Sequence, residues 1–143
     1  MTPGTVSYGV SYAGGAAPTT TWHGQARVTC YITLSLEFST TSTAPGTDAW
    51  WSLSGSPPAR LVGAHPIIGE LARPVDTVSV WWGHLVSNSP RTHGTLTVTF
   101  ADSVRVDGRF IYTGPAGVGQ DTVDATVQGE FSALYPYRTP PGC

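Results

Sequence analysis

The sequence predicts an all-β protein: a single antiparallel β-sandwich of jelly-roll type, or a small β-barrel, of about seven or eight strands. Apolar residues alternate with polar ones along most of the chain, so each strand would have one apolar face. Glycine and proline, 17 and 12 residues, interrupt this alternation at short intervals. Threonine and serine occupy many of the intervening positions, where a stiff β-branched side chain favours a strand.

The strongest alternation runs from Trp22 to Phe38. Every even position except Gly24 is apolar, and the set comprises Trp22, Ala26, Val28, Cys30, Ile32, Leu34, Leu36 and Phe38. These residues predict a buried face, and the odd-numbered residues predict an outer face. We interpret the stretch as one long central strand with a bend at Gly24, because an isolated glycine often marks a bulge and an unbent strand would span about 55 Å.

Shorter segments before and after this stretch are assigned in the same way. Strands are predicted at Thr5–Tyr12, at Ala49–Leu53 and, as a short addition, at Arg60–Gly63, with a breaker-rich connection over Ala13–Thr21. The segment His65–Pro74 is the only one that could hold a helical turn, and its prolines keep such a turn short.

Three further segments of alternation lie in the C-terminal half. They are Thr77–Val86, with Val78, Val80, Trp82, His84 and Val86 on one face; Gly94–Thr113; and Asp121–Tyr135, which follows a glycine loop over Gly114–Gln120. Asp107-Gly108 predicts a hairpin turn inside the second segment. The parity of the apolar residues favours a three-residue Asp-Gly-Arg loop that pairs Val106 with Phe110 and places Phe100 and Val104 on the buried side.

We therefore expect one β domain over residues 1–135 and an extended, proline-rich arm over residues 136–143. The two cysteines are Cys30 and Cys143. Cys30 shares the parity of the apolar face, which favours a buried free thiol over a disulfide.

Composition argues against several classes of partner. Charged residues make up 11% of the chain, the net charge is -2, and all seven basic residues are scattered arginines, so we expect no nucleic-acid binding. No apolar run approaches the length of a membrane span, and no signal peptide is recognisable, so we expect a soluble protein with no membrane partner. Hydroxyl-rich strands favour a virion or extracellular location.

Catalytic and metal motifs are not found. The four histidines lack metal-ligand spacing, and no GxSxG motif occurs, so we expect no metal and no cofactor and lean against an enzyme. The segment Gly114–Asp121 has the glycine spacing of a phosphate-binding loop, but Gln120 stands where the lysine is required. His84 and Asp102 are catalytic candidates only if the protein is a barrel enzyme with an open interior.

Paired tryptophans indicate where binding could occur. In Trp50-Trp51 and Trp81-Trp82, adjacent residues on a strand face opposite sides, so one tryptophan of each pair would lie on the outer face. We expect Trp51 and Trp81, together with Tyr31 on the outer face of the long strand, to be binding residues.

Three functions remain open. The first, which we favour, is a structural or interaction protein: a homo-oligomeric subunit or decoration protein of a viral or phage particle. The second is a secreted carbohydrate-binding or adhesion module that uses outer aromatic rings. The third is a small β-barrel enzyme or ligand carrier with an apolar cavity lined by Trp82, His84, Tyr112 or Tyr135.

Overall fold

A computed structural model describes residues 1–30, 33–40, 50–55, 61–69, 77–82, 85–86 and 89–137. Strands make up most of this part of the chain. They are β1 (Thr5–Tyr12), β2 (Thr20–Cys30), β3 (Leu34–Thr40), β4 (Trp50–Gly55), β5 (Gly63–Ile68), β6 (Ser79–Trp82), β7 (His93–Ala101), β8 (Arg105–Val118) and β9 (Asp121–Leu134). A single turn of 3-10 helix, Ala13–Gly15, follows β1.

The nine strands form one sheet in the order β5-β7-β8-β9-β1-β2-β3-β4-β6, and neighbours in this order run antiparallel. The sheet curls until its two edge strands meet. Ile67 of β5 bridges Val78, which precedes β6, and Ile68 N donates to Val78 O at 2.8 Å. The prediction of an all-β antiparallel sandwich or small barrel is confirmed. The strand count exceeds the expected one, and a sheet that encloses its own core favours the barrel alternative.

The core lies on the inner side of the curled sheet. Three phenylalanines from different strands form its centre, with ring centroids of Phe38 and Phe131 separated by 5.5 Å and those of Phe38 and Phe110 by 5.7 Å. The even-numbered residues of the Trp22–Phe38 segment supply one wall, and Ala26, Val28, Leu34, Leu36 and Phe38 are all buried. The predicted buried face is therefore confirmed for these residues.

The prediction of one long strand over Trp22–Phe38 is wrong. The segment folds into a hairpin in which β2 pairs with β3, and Cys30 lies opposite Leu34. Both arms keep the same parity because even-numbered residues pair with even-numbered residues. Alternation alone cannot distinguish such a hairpin from a continuous strand.

The predicted turn at Asp107-Gly108 is also wrong, since β8 runs through both residues. The chain instead turns at Asp102, whose Oδ1 accepts hydrogen bonds from the backbone N–H groups of Val104 and Arg105 at 2.8 and 2.9 Å. Gly108 has a different role. A Cβ there would lie 2.4 Å from Thr97 O, so the glycine permits close approach of β7.

Displacement of the turn changes which residues are buried. A bulge in β7 between Val98 and Phe100 reverses the parity of the strand, and Phe100 is 40% exposed. Val104 lies in the turn and is 48% exposed. Both residues were expected in the core, so this prediction is wrong.

Three smaller predictions fail for the residues that the structure describes. His65 lies in strand β5 rather than in a helical turn, and residues 70–74 of that prediction lie outside the described part of the chain. The expected loop over Gly114–Gln120 shrinks to Gly119-Gln120, because β8 continues to Val118. Beyond β6, Leu85 is buried and Val86 is exposed, the reverse of the expected parity, since β6 ends at Trp82.

Cys30 is half-buried and disulfide-bonded, so the expectation of a free thiol is wrong. The sequence contains one other cysteine, Cys143, which lies outside the described residues. The parity of Cys30 places it correctly beside the core, but parity carries no information about pairing.

Candidate binding surfaces on the outer face

The structure gives positions for two of the three sequence-predicted binding residues, Trp51 and Trp81. Trp81 lies on β6 and is 47% exposed, while the adjacent Trp82 is buried. This is the arrangement expected of a tryptophan pair on a strand. Trp51 lies on β4 at the register position of Phe38 and Trp82. Tyr31 lies outside the described residues.

Trp81 belongs to a row of residues that crosses the outer face of the sheet. Its register partner on β4 is Ser52, which in turn lies opposite Glu37 on β3. Glu37 lies opposite Arg27 on β2, and the two side chains form an ion pair at 2.7 Å. Trp81 thus shares a register row with the Arg27–Glu37 ion pair.

Of the two catalytic candidates, only Asp102 is described, and His84 lies outside the described residues. The carboxylate of Asp102 accepts the two backbone hydrogen bonds that close the β7–β8 turn. Burial raises the pKa of the nearby Tyr135 phenol, and the negative charge of Asp102 raises it further. The two hydrogen bonds that Asp102 accepts give it a structural role in the β7–β8 turn.

Three of the four side chains expected to line an interior cavity are described, and all three take part in packing. Trp82 and Tyr112 are buried members of the core, and Tyr135 packs against it. The rings of Phe110 and Tyr112 stack with centroids 6.4 Å apart. These contacts occupy the centre of the described interior with aromatic side chains.

Sequence reasoning missed a second feature of the outer face, which we call the outer groove. It is an open depression of about 600 Å³ that crosses β7, β8, β9, β1 and β2. Its walls are outward side chains from two neighbouring rows of register partners, each row running across the strands. Its lining comprises Ser7, Gly9, Thr21, Thr95, Thr97, Arg109, Ile111, Gln128 and Glu130, with the backbone at Tyr8, Phe110 and Gly129.

Two glycines shape the floor of the outer groove. Gly9 lies between Gln128 and Thr21 in one row and has no side chain to fill the centre. Gly129 marks a close approach of β9 to β1, where a Cβ would lie 2.4 Å from Ser7 O and 2.5 Å from Tyr8 Cβ. The depression therefore follows from where the sequence places glycine.

Arg109 of the outer groove differs from the other three arginines in the described part of the chain. Arg27, Arg91 and Arg105 pair with Glu37, Asp124 and Asp107 at 2.7, 2.7 and 3.1 Å. Arg109 lies opposite Glu130 across β8 and β9, yet neither side chain forms an ion pair or hydrogen bond with any described residue. The outer groove thus keeps one guanidinium and one carboxylate available.

Other polar side chains of the outer groove are equally available. Gln128 and the hydroxyls of Thr95, Thr97 and Thr21 have no hydrogen-bond partner among the described residues. Ile111, 46% exposed, supplies an apolar surface between them. In the sequence, the charged residues Arg109 and Glu130 could have indicated this site. They lie far apart in the chain, however, and only the strand register brings them together.

The described residues contain no cluster of three or more histidine, cysteine, aspartate or glutamate side chains that could hold a metal ion. No helix in the same ranges is long and apolar enough to cross a membrane. A scan against protein-family models and comparisons with curated proteins and solved structures find no significant match to this chain.

Proposed function

We propose that this protein is a structural or interaction domain that self-associates through its outer face, as a subunit or decoration protein of a viral or phage particle would. The observation that carries the proposal is the exposure of Trp81, which is 47% exposed on the outer side of β6. Tryptophan is a frequent anchor of protein interfaces, because burying its large ring removes much apolar surface from water.

The packed interior supports a function at the surface. Phe38, Phe110 and Phe131 bring rings from β3, β8 and β9 into mutual contact at the centre of the described core. Side chains on the outer face are then available to supply binding energy, and Trp81 is 47% exposed there.

The test is the oligomeric state of matched variants. We expect Trp81→Ser to weaken self-association on the order of 30-fold, as expected for an interface anchor, while circular dichroism stays unchanged. Ile111→Ser is the control, because Ile111 is equally exposed on the outer face but belongs to the outer groove. Sedimentation velocity across a concentration series gives both dissociation constants. Equal association of wild type and Trp81→Ser would refute the role of Trp81.

A further inference from the structure

We propose that the outer groove is a binding site for a neutral oligosaccharide. This inference goes beyond the proposed self-association, because the outer groove crosses β7 to β2 whereas Trp81 lies on β6, separated from β2 by β3 and β4. The two surfaces can therefore be tested independently.

The charge of the outer groove selects the class of ligand. Arg109 and Glu130 are the two charged side chains in its lining, and their formal charges cancel. A phosphate or sulfate would meet the Glu130 carboxylate, and a cation would meet the Arg109 guanidinium. A neutral ligand that both donates and accepts hydrogen bonds can use both groups at once.

The polar groups of the outer groove match sugar hydroxyls. A guanidinium donates to hydroxyl oxygens, a carboxylate accepts from hydroxyl protons, and the Gln128 amide does both. The threonine hydroxyls add further donors and acceptors along the walls. Because these side chains make no hydrogen bonds with described residues, a ligand would not have to break existing contacts to reach them.

The dimensions of the outer groove favour a short oligosaccharide over a single sugar. It crosses five neighbouring strands, a distance of about 19 Å at the usual strand spacing. Ile111 offers an apolar contact for the C–H face of one sugar ring. An extended peptide fits less well, because the backbone groups at the floor lie within interior strands of the sheet and cannot pair with an added strand.

The experiment is a titration of the full chain with neutral tetrasaccharides of glucose, N-acetylglucosamine, mannose, xylose and galactose. Amide chemical shifts in NMR spectra measure binding up to about 10 mM ligand, the range of weak affinities. We expect saturable binding of at least one of these probes. Arg109→Gln and Glu130→Gln should each weaken binding at least tenfold, and Ile111→Ser should weaken it several-fold.

The control variants are Arg91→Gln, which removes an ion-paired arginine outside the outer groove, and Trp81→Ser. Both should bind the tetrasaccharide as the wild type does. The proposal is overturned if no neutral tetrasaccharide saturates the protein, or if Arg109→Gln and Glu130→Gln bind it unchanged. It is also overturned if a sulfated heparin tetrasaccharide, tetragalacturonate or an unstructured neutral peptide binds the outer groove more tightly than every neutral sugar.

Discussion

Arg109 and Glu130 lie directly opposite each other on adjacent strands, yet no ion pair joins them. Arg27 and Glu37 have the same relationship on β2 and β3, and they are joined at 2.7 Å. Two cross-strand arginine–glutamate pairs thus lie on the same outer face, and only one of them forms an ion pair. The pair without an ion pair, Arg109 and Glu130, lines the outer groove.

This difference predicts that the charges of the outer groove add little to folding. Arg109→Gln and Glu130→Gln should each change the free energy of unfolding by less than about 0.5 kcal/mol, because no described contact is lost. Urea denaturation followed by tryptophan fluorescence measures this. A loss of about 2 kcal/mol in either variant would contradict the account by revealing a structural ion pair.

The close approach of β9 to β1 predicts a large effect at Gly129. A Cβ there would lie 2.4 Å from a backbone oxygen of β1, so Gly129→Ala should destabilise the fold by about 2 kcal/mol or more. Gly117→Ala is the matched control on the neighbouring strand, where an added Cβ meets no atom within 4 Å. Thermal unfolding of both variants checks this prediction, and similar melting temperatures would refute it.

Two buried hydroxyls are predicted to respond in opposite ways. Ser132 Oγ donates to Asp107 Oδ1 at 2.6 Å, so Ser132→Ala should cost about 1–3 kcal/mol. Thr92 Oγ1 is buried without a hydrogen-bond partner in the described part of the chain, so Thr92→Val should be neutral or stabilising. Chemical denaturation of both variants tests the pair. Destabilisation of Thr92→Val by more than about 1 kcal/mol would show that its hydroxyl has a partner.

Tyr135 predicts how stability changes in alkali. Burial and the charge of Asp102 raise the pKa of its phenol in the folded state, so the unfolded chain loses this proton first. The stabilisation is complete below pH of about 10 and is lost as pH rises through the folded-state pKa. Tyr135→Phe should therefore lose less stability than wild type in this range.

Denaturation at several pH values above neutrality measures the difference between the two proteins. Asp102→Asn keeps an oxygen acceptor for the turn but removes the charge, so it should lower the pKa of Tyr135 towards its ordinary value. Identical alkaline stability profiles for wild type and Tyr135→Phe would contradict this reading of the site.

The sequence predicted the faces of the strands better than their connections. Residues 5–12 and 121–134 form strands close to the predicted bounds because local alternation specifies which side is buried. The hairpin between Cys30 and Leu34 was missed because it preserves parity. The β7–β8 turn forms at Asp102, whose carboxylate accepts two backbone hydrogen bonds, and not at Asp107-Gly108, where the sequence pattern predicted it. With the turn at Asp102, Phe100 lies outside the core.

The candidate surfaces were predictable only in part. Trp81 could be placed on the outer face because its neighbour Trp82 takes the opposite side. The outer groove could not be foreseen, because Thr21, Arg109 and Gln128 come from distant parts of the chain and meet only through strand register. Nothing in their local sequence distinguishes them from ordinary outward residues.

The mass of the wild-type protein in solution, from light scattering coupled to size-exclusion chromatography, tests the central claim of self-association most directly. The account predicts a mass that is a multiple of the 15.0 kDa chain and that falls towards one chain on dilution or in Trp81→Ser. A wild-type mass of 15.0 kDa at every concentration up to the millimolar range would contradict it.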